Sequence, residues 1–290
     1  MNHGVTLAFL TYATFSWGDA IVKSLAGGPS VFEIGFFTAL SASAVIFFSK
    51  PKDERWRHFW RMKHPYAVNL RAACSLLAGV LGIYAFTHIP LAETYALIFL
   101  APLLTTLASM VMLGEKIGPY RWLAVITGLC GTVLVVQPGF KALELGHVAA
   151  LGVAVLGAMT VIILRTVAAD EKRTSLLGMM LAYALVFNFI AMLPTFNWPT
   201  VPQLLTMLAA GAIGSIGQVA LIAALRRAPA NQVAPVQYSQ IAWAVVIGSL
   251  FYNEIPNALA LIGLAILAAS GLLTLVREKV RDVPVIADKP

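Results

Sequence analysis

Residues 85–115 read AFTHIPLAETYALIFLAPLLTTLASMVMLGE, and residues 224–254 read ALRRAPANQVAPVQYSQIAWAVVIGSLFYNE. Each stretch opens on a proline-bearing turn and closes on a glutamate, and the proline-to-glutamate distance is the same 25 residues: Pro90 to Glu115, Pro229 to Glu254. Between proline and glutamate lies one apolar span of membrane-crossing length, and a second span follows. An internal repeat in so apolar a chain is the signature of a membrane carrier built from two halves, with its ligand site where the halves meet.

Composition supports that reading. Apolar residues make up 59% of 290 residues and charged residues only 11%. Such a ratio exceeds what a soluble core requires. Cys74 and Cys130 both fall in apolar spans, so a disulfide framework is excluded by count. The opening MNHGVTL has no basic n-region, which argues against a cleavable signal peptide.

A hydrocarbon core of about 30 Å takes roughly 20 helical residues. Runs of that kind occur ten times, near 5–25, 31–48, 68–88, 92–113, 120–137, 146–166, 175–194, 203–225, 231–252 and 257–276. Prolines and glycines mark their ends. If the N-terminus is cytoplasmic, 18 of the 20 Lys and Arg lie in cytoplasmic loops or the tail, which predicts both termini inside. The net charge of +7 is then explained by topology, and no nucleic-acid partner is expected. The densest basic run, Lys50 to Arg71, is interleaved with Trp56, Phe59, Trp60 and Tyr66 and suits an anionic bilayer surface.

Five spans per half means that the second half enters from the opposite face, giving an inverted repeat. The expected fold is all-α: a polytopic membrane protein of ten transmembrane helices. Residues 1–140 form the first half, 141–276 the second, and 277–290 a tail. Further correspondences are Gly4 with Gly146, Lys23-Ser24 with Arg165-Thr166, and Gly35 with Gly178.

The two quoted segments, with the spans that follow them, resemble the closing parts of paired EamA domains of the drug/metabolite transporter superfamily. The resemblance covers nearly the whole chain. It implies ATP-independent, alternating-access transport of small metabolites across a bacterial inner membrane, with the amino-acid exporter branch as the nearest match. Uptake of riboflavin or S-adenosylmethionine is the alternative within the transport class. A channel or a non-transporting scaffold is the alternative outside it, but a scaffold has no need of inverted symmetry.

Polar groups inside spans are costly and mark function by default. In the first span Tyr12, Ser16, Asp19 and Lys23 share a helical face, and Asp19 and Lys23 stand at i,i+4 spacing, where they can pair. Trp17 adds aromatic surface at the same depth. Tyr84 and His88 share a face of the third span, and Tyr95 and Phe99 lie in the fourth. Gln237, Tyr238, Gln240 and Trp243 follow Pro235 in the ninth. Pro102 and Pro235 predict disturbed backbones in spans 4 and 9. The predicted substrate-facing set is Tyr84, Tyr95, Phe99, Gln237, Tyr238 and Trp243, with Trp17, Asp19 and His88 beside it. Glu93 suits a helix N-terminus, and Glu115 and Glu254 are expected to cap turns into the next helix. Spans 1, 3, 4, 6, 8 and 9 are expected to line the cavity. Spans 5 and 10, nearly free of hydrogen-bonding side chains, are expected to face lipid or a second copy of the chain. HExxH, GxSxG, CxxC and P-loop patterns are absent, so no enzyme activity, cofactor or metal is expected.

Overall fold

The computed structural model describes residues 3–48, 56, 59–113, 119–139, 142–167, 170–225, 227–228 and 233–280. Its helices are α1 (His3–Lys23), α2 (Val31–Phe48), α3 (Pro65–His88), α4 (Leu91–Ile98), α5 (Ala101–Leu113), α6 (Pro119–Val136), α7 (Leu145–Val167), α8 (Arg173–Met192), α9 (Val201–Leu225), α10 (Ser239–Phe251) and α11 (Ala258–Val280). Seven helical stretches among the described residues are long and apolar enough to cross a membrane, with α4 and α5 counted as one, and three shorter apolar helices complete ten crossings. The start of α1 and the end of α11 therefore share one end of the bundle, here the terminal end; the other is the far end. Glu115, Pro229 and residues 50–55, 57 and 58 of the basic run lie outside the described residues.

The chain packs as the repeat requires. Helix α1 lies along α9, and α3 lies along α7, its reciprocal under exchange of the halves; α6 pairs with α11. As the sixth crossing, α7 runs opposite to α1, so the repeat is inverted. Its seams are cut by matched glycines. A Cβ on Gly4 would fall 2.5 Å from Ala228 Cβ, and one on Gly146 would fall 2.6 Å from Ile89 Cγ2. Gly146 is the repeat partner of Gly4, and Ala228 stands 139 residues after Ile89, the same offset that links the two prolines. The same notch is thus built twice, once at each end. Where α6 crosses α11 the backbones meet directly: a Cβ on Gly131 would lie 2.8 Å from the carbonyl oxygen of Gly263. Small residues permit such approach in a lipid setting, where packing rather than hydrophobic collapse holds helices together.

The fourth and ninth spans are both interrupted. Helix α4 ends at Ile98 and α5 begins at Ala101. Pro102 has no N–H to donate, and its ring would crowd the carbonyl of Ile98, so the ladder breaks there. In the ninth span a 3-10 turn over Ala234–Tyr238 precedes α10. The two breaks fall at Phe99 and Tyr238, whose numbers differ by 139 (238 − 99), the repeat offset itself. Their rings touch, with centroids 5.3 Å apart. Two equivalent residues in contact mark the pseudo-two-fold axis, so the axis passes through this aromatic pair.

Candidate functional site

Around that pair the structure gathers an acid and a set of aromatic and amide groups. Asp19, on the face of α1 that looks inward, accepts a hydrogen bond from the Tyr95 hydroxyl at 2.5 Å. Gln240 Nε2 donates to the same phenol oxygen at 3.4 Å. Tyr95 is flanked by Phe86 at 5.6 Å and Phe99 at 5.8 Å, and Phe99 leads on to Tyr238. Tyr95 and Phe99 are both buried. The Tyr238 ring fills the notch left by Gly271 of α11, where a Cβ would sit 1.7 Å from Tyr238 Cζ. Helix α11 was expected only at the periphery. Its exposed residues Leu259, Leu261 and Ile262 do face outward, but its opposite side backs this ring. Ser239 Oγ, at the start of α10, is buried and has no hydrogen-bond partner among the described residues.

Five of the nine residues expected at the site are placed in or against this cluster: Asp19, Tyr95, Phe99, Tyr238 and Trp243, the last packed partly buried against the same core. Gln237 is half-buried in the 3-10 turn beside Tyr238, and its neighbour on the same face, Gln240, makes the contact with Tyr95. The other three lie elsewhere. Trp17 points outward, 40% exposed, against Phe251. Tyr84 and His88 stack on one another at 3.9 Å, and His88 Nδ1 lies 2.8 Å from the Tyr84 carbonyl oxygen. Tyr84 packs with the α3–α7 seam and His88 is exposed, because their shared face of α3 is turned away from the one that carries Phe86 inward.

Asp19 and Lys23 do not pair. Lys23 instead forms a buried ion pair with Glu254 from the other half, Nζ to Oε1 at 2.7 Å. The ammonium also donates to the carbonyls of Ile89 at 2.8 Å and Phe86 at 3.3 Å, at the C-terminus of α3. The second oxygen of Glu254 accepts the Leu91 N–H at 2.8 Å, at the N-terminus of α4. Each charge thus meets the helix end whose dipole favours it. Asn253 takes a left-handed conformation, φ 57°, which ends α10 and returns Glu254 toward the bundle. The expectation that Glu254 caps the turn into its own next helix is corrected: it caps α4 of the opposite half.

Two further contacts close the far end. His147 Nδ1 accepts the Glu144 N–H at 3.0 Å, which leaves Nε2–H to donate to Glu93 Oε2 at 2.9 Å, both side chains being buried. Glu33 and Ser30 form a reciprocal capping box at the start of α2, and Glu33 also accepts the Asn197 N–H at 3.1 Å. These two were missed in the sequence. Ser30-x-x-Glu33 was a readable capping signal, whereas nothing local linked His147 to Glu93. A cavity of about 300 Å³ beside Glu33 is lined by Ser30, Asn197, Trp198 and Gln203, and none of the clustered aromatics reaches it.

Comparison with known proteins agrees with the architecture. The chain is 28% identical over 281 residues to the pseudopaline exporter CntI of Pseudomonas aeruginosa, covering 96% of this chain and 98% of that one. It is 24% identical to an S-adenosylmethionine uptake transporter of Rickettsia conorii, over 95% and 93% of the two chains. A riboflavin transporter of Vibrio cholerae is 25% identical over 69% of this chain and 68% of its own. A solved crystal structure with 17% identity superposes with a TM-score of 0.65 over 97% of this chain and 98% of that one, which shows a shared fold. The model of the EamA-like transporter family matches twice, at residues 2–137 and 144–276, and the chain belongs to that family of membrane transporters.

Proposed function

We propose that this transporter is a secondary carrier for a small zwitterionic metabolite, most simply an amino acid, and that it works as an exporter. The observation that carries the reading is Asp19: a carboxylate held inside the bundle by a neutral phenol rather than by a cation. A charge in that setting is costly unless it is paired. A ligand ammonium would supply the missing partner, and the rings of Tyr95, Phe99 and Tyr238 would add cation–π and apolar contact. Ser239 Oγ and the Gln237 amide would receive a carboxylate. Helices interrupted near the axis are where carriers of this design hold their ligands. Tyr95 and Phe99 are buried in this conformation, whereas Asp19, Gln237, Tyr238 and Trp243 are partly exposed. The expected orientation, with both termini cytoplasmic, rests on the 18 to 2 distribution of Lys and Arg.

The test is counterflow in proteoliposomes loaded with unlabelled amino acids, set beside riboflavin and S-adenosylmethionine. Saturable exchange of amino acids, weakened in Asp19→Asn, is the expected result; exchange of riboflavin alone would overturn it. S-adenosylmethionine is the second reading. It carries both an amino-acid head and a sulfonium cation suited to an acid among aromatics, and one relative similar over 95% of this chain is named for its uptake.

A further inference from the structure

Lys23 and Asp19 stand on one helix, four residues apart, and Leu91 and Tyr95 stand four apart on another. Asp19 holds Tyr95, while the Lys23–Glu254 pair holds the Leu91 N–H. Two rigid helices therefore connect the ligand cluster to the ion pair across one turn, about 6 Å of rise. The ion pair joins the halves at the far end, since Lys23, Phe86, Ile89 and Leu91 belong to the first and Glu254 to the second. Tyr252 reinforces the junction: its hydroxyl donates to the Ala20 carbonyl, and its ring lies 5.6 Å from the Lys23 ammonium. To open this end, α10 must leave the start of α4, and the Glu254 contacts must break together.

We propose that the Lys23–Glu254 ion pair is the latch that closes the far end of the passage, and that the Asp19–Tyr95 hydrogen bond one turn below it governs whether the latch holds. A cation that takes Asp19 frees Tyr95, and with it α4, to move against α1. The start of α4 is then pulled from Glu254, and the far end opens only when the central site is engaged. The polarity of the latch is fixed. Lys23 faces the carbonyl end of α3 and Glu254 the amide end of α4, so a reversed pair would meet both helix ends with the wrong charge. The second half of this proposal, the control by Asp19–Tyr95, rests on the reading of Asp19 as the ligand's anchor; the latch itself does not.

The experiment uses the full chain in nanodiscs, with Cys74 and Cys130 replaced by alanine and a reporter cysteine placed at Ala92. That position is 6% exposed and lies within the core beside Leu91. Its labelling rate by a charged maleimide reads the opening of the far end. Either single substitution at the latch leaves a buried charge alone and risks misfolding, so the variant is the double Lys23→Met/Glu254→Gln, checked for an unchanged elution profile. Labelling at least fivefold faster than in the latch-intact reporter is expected. An unchanged rate in the folded double variant would overturn the latch. Tyr95→Phe, which keeps the ring and removes the hydrogen bond, should raise labelling by a smaller factor. If it does not, the coupling is overturned while the latch stands. Loss of amino-acid counterflow in Tyr95→Phe with normal labelling would separate a failure of coupling from a failure of the ligand reading.

Discussion

Two carboxylates at neighbouring depths have opposite surroundings. Glu254 is fully provided for: an ammonium on one oxygen, a backbone N–H on the other, and a helix dipole behind it. Asp19, one turn deeper, has a phenol and no cation among the described residues. The same two helices, α1 and α4, serve both. A charge balanced by the protein itself holds the halves together; a charge left to a neutral partner is available to something from outside. The difference separates structure from function more sharply than burial does, since both groups are partly buried.

The comparison is broken most directly by neutralising each acid or its partner in turn. Asp19→Asn retains an oxygen for the Tyr95 hydroxyl, so thermal stability in detergent should stay within about 1 kcal/mol of the parent. Transport should fall on the order of 30- to 100-fold, the worth of about 2–3 kcal/mol for a hydrogen-bonded charge. Lys23→Met should act the other way round. It strands Glu254 in a site where Lys23 and Glu254 side chains are only 10% and 19% exposed, and should cost about 3 kcal/mol of stability. The double Lys23→Met/Glu254→Gln should recover more than half of that loss. If Asp19→Asn unfolds the protein while Lys23→Met leaves its melting unchanged, the assignment of the two acids is reversed.

A smaller effect is expected at Gly271. Alanine there would place its Cβ 1.7 Å from Tyr238 Cζ, and the ring must move. Overpacking of this kind costs about 1–3 kcal/mol. Because the displaced ring belongs to the aromatic pair on the axis, the apparent affinity for substrate should weaken several-fold, measured as KM in counterflow. A control at Gly79, where no atom lies within 4 Å of an added Cβ, should leave both melting and KM unchanged.

Much of this architecture was legible. The repeated 25-residue spacing and the apolar runs gave ten crossings, inversion and the axis-bearing spans, because periodicity and length are written locally. Pro102 announced the break in the fourth span for the same reason. The partner of Lys23 was not legible. Spacing along α1 offers Asp19 at i,i+4, and only the packing of α10 against α1 and α4 brings Glu254 closer. Gly271 was hidden likewise: a glycine in an apolar span gives no sign that an aromatic ring from another helix occupies the space above it. Tyr84 and His88 stand apart from the cluster, because a shared helix face says which residues go together, but not which way that face turns.

Those two residues make the smallest and most discriminating test. Tyr84 and His88 stack on each other on the side of α3 turned toward α7, and His88 is exposed. Phe86, between them in sequence, is the residue that reaches Tyr95. His88→Ala removes a ring that packs on its own helix, so stability should change by about 0.5 kcal/mol or less and transport should remain within twofold. Phe86→Ala, two residues away, deletes a buried ring from the cluster and should cost about 3 kcal/mol or more, with counterflow lost in whatever fraction still folds. A tenfold loss of transport in His88→Ala at unchanged melting would mean that the ligand path runs along the α3–α7 seam, and the site would have to be redrawn around Tyr84 rather than Tyr95.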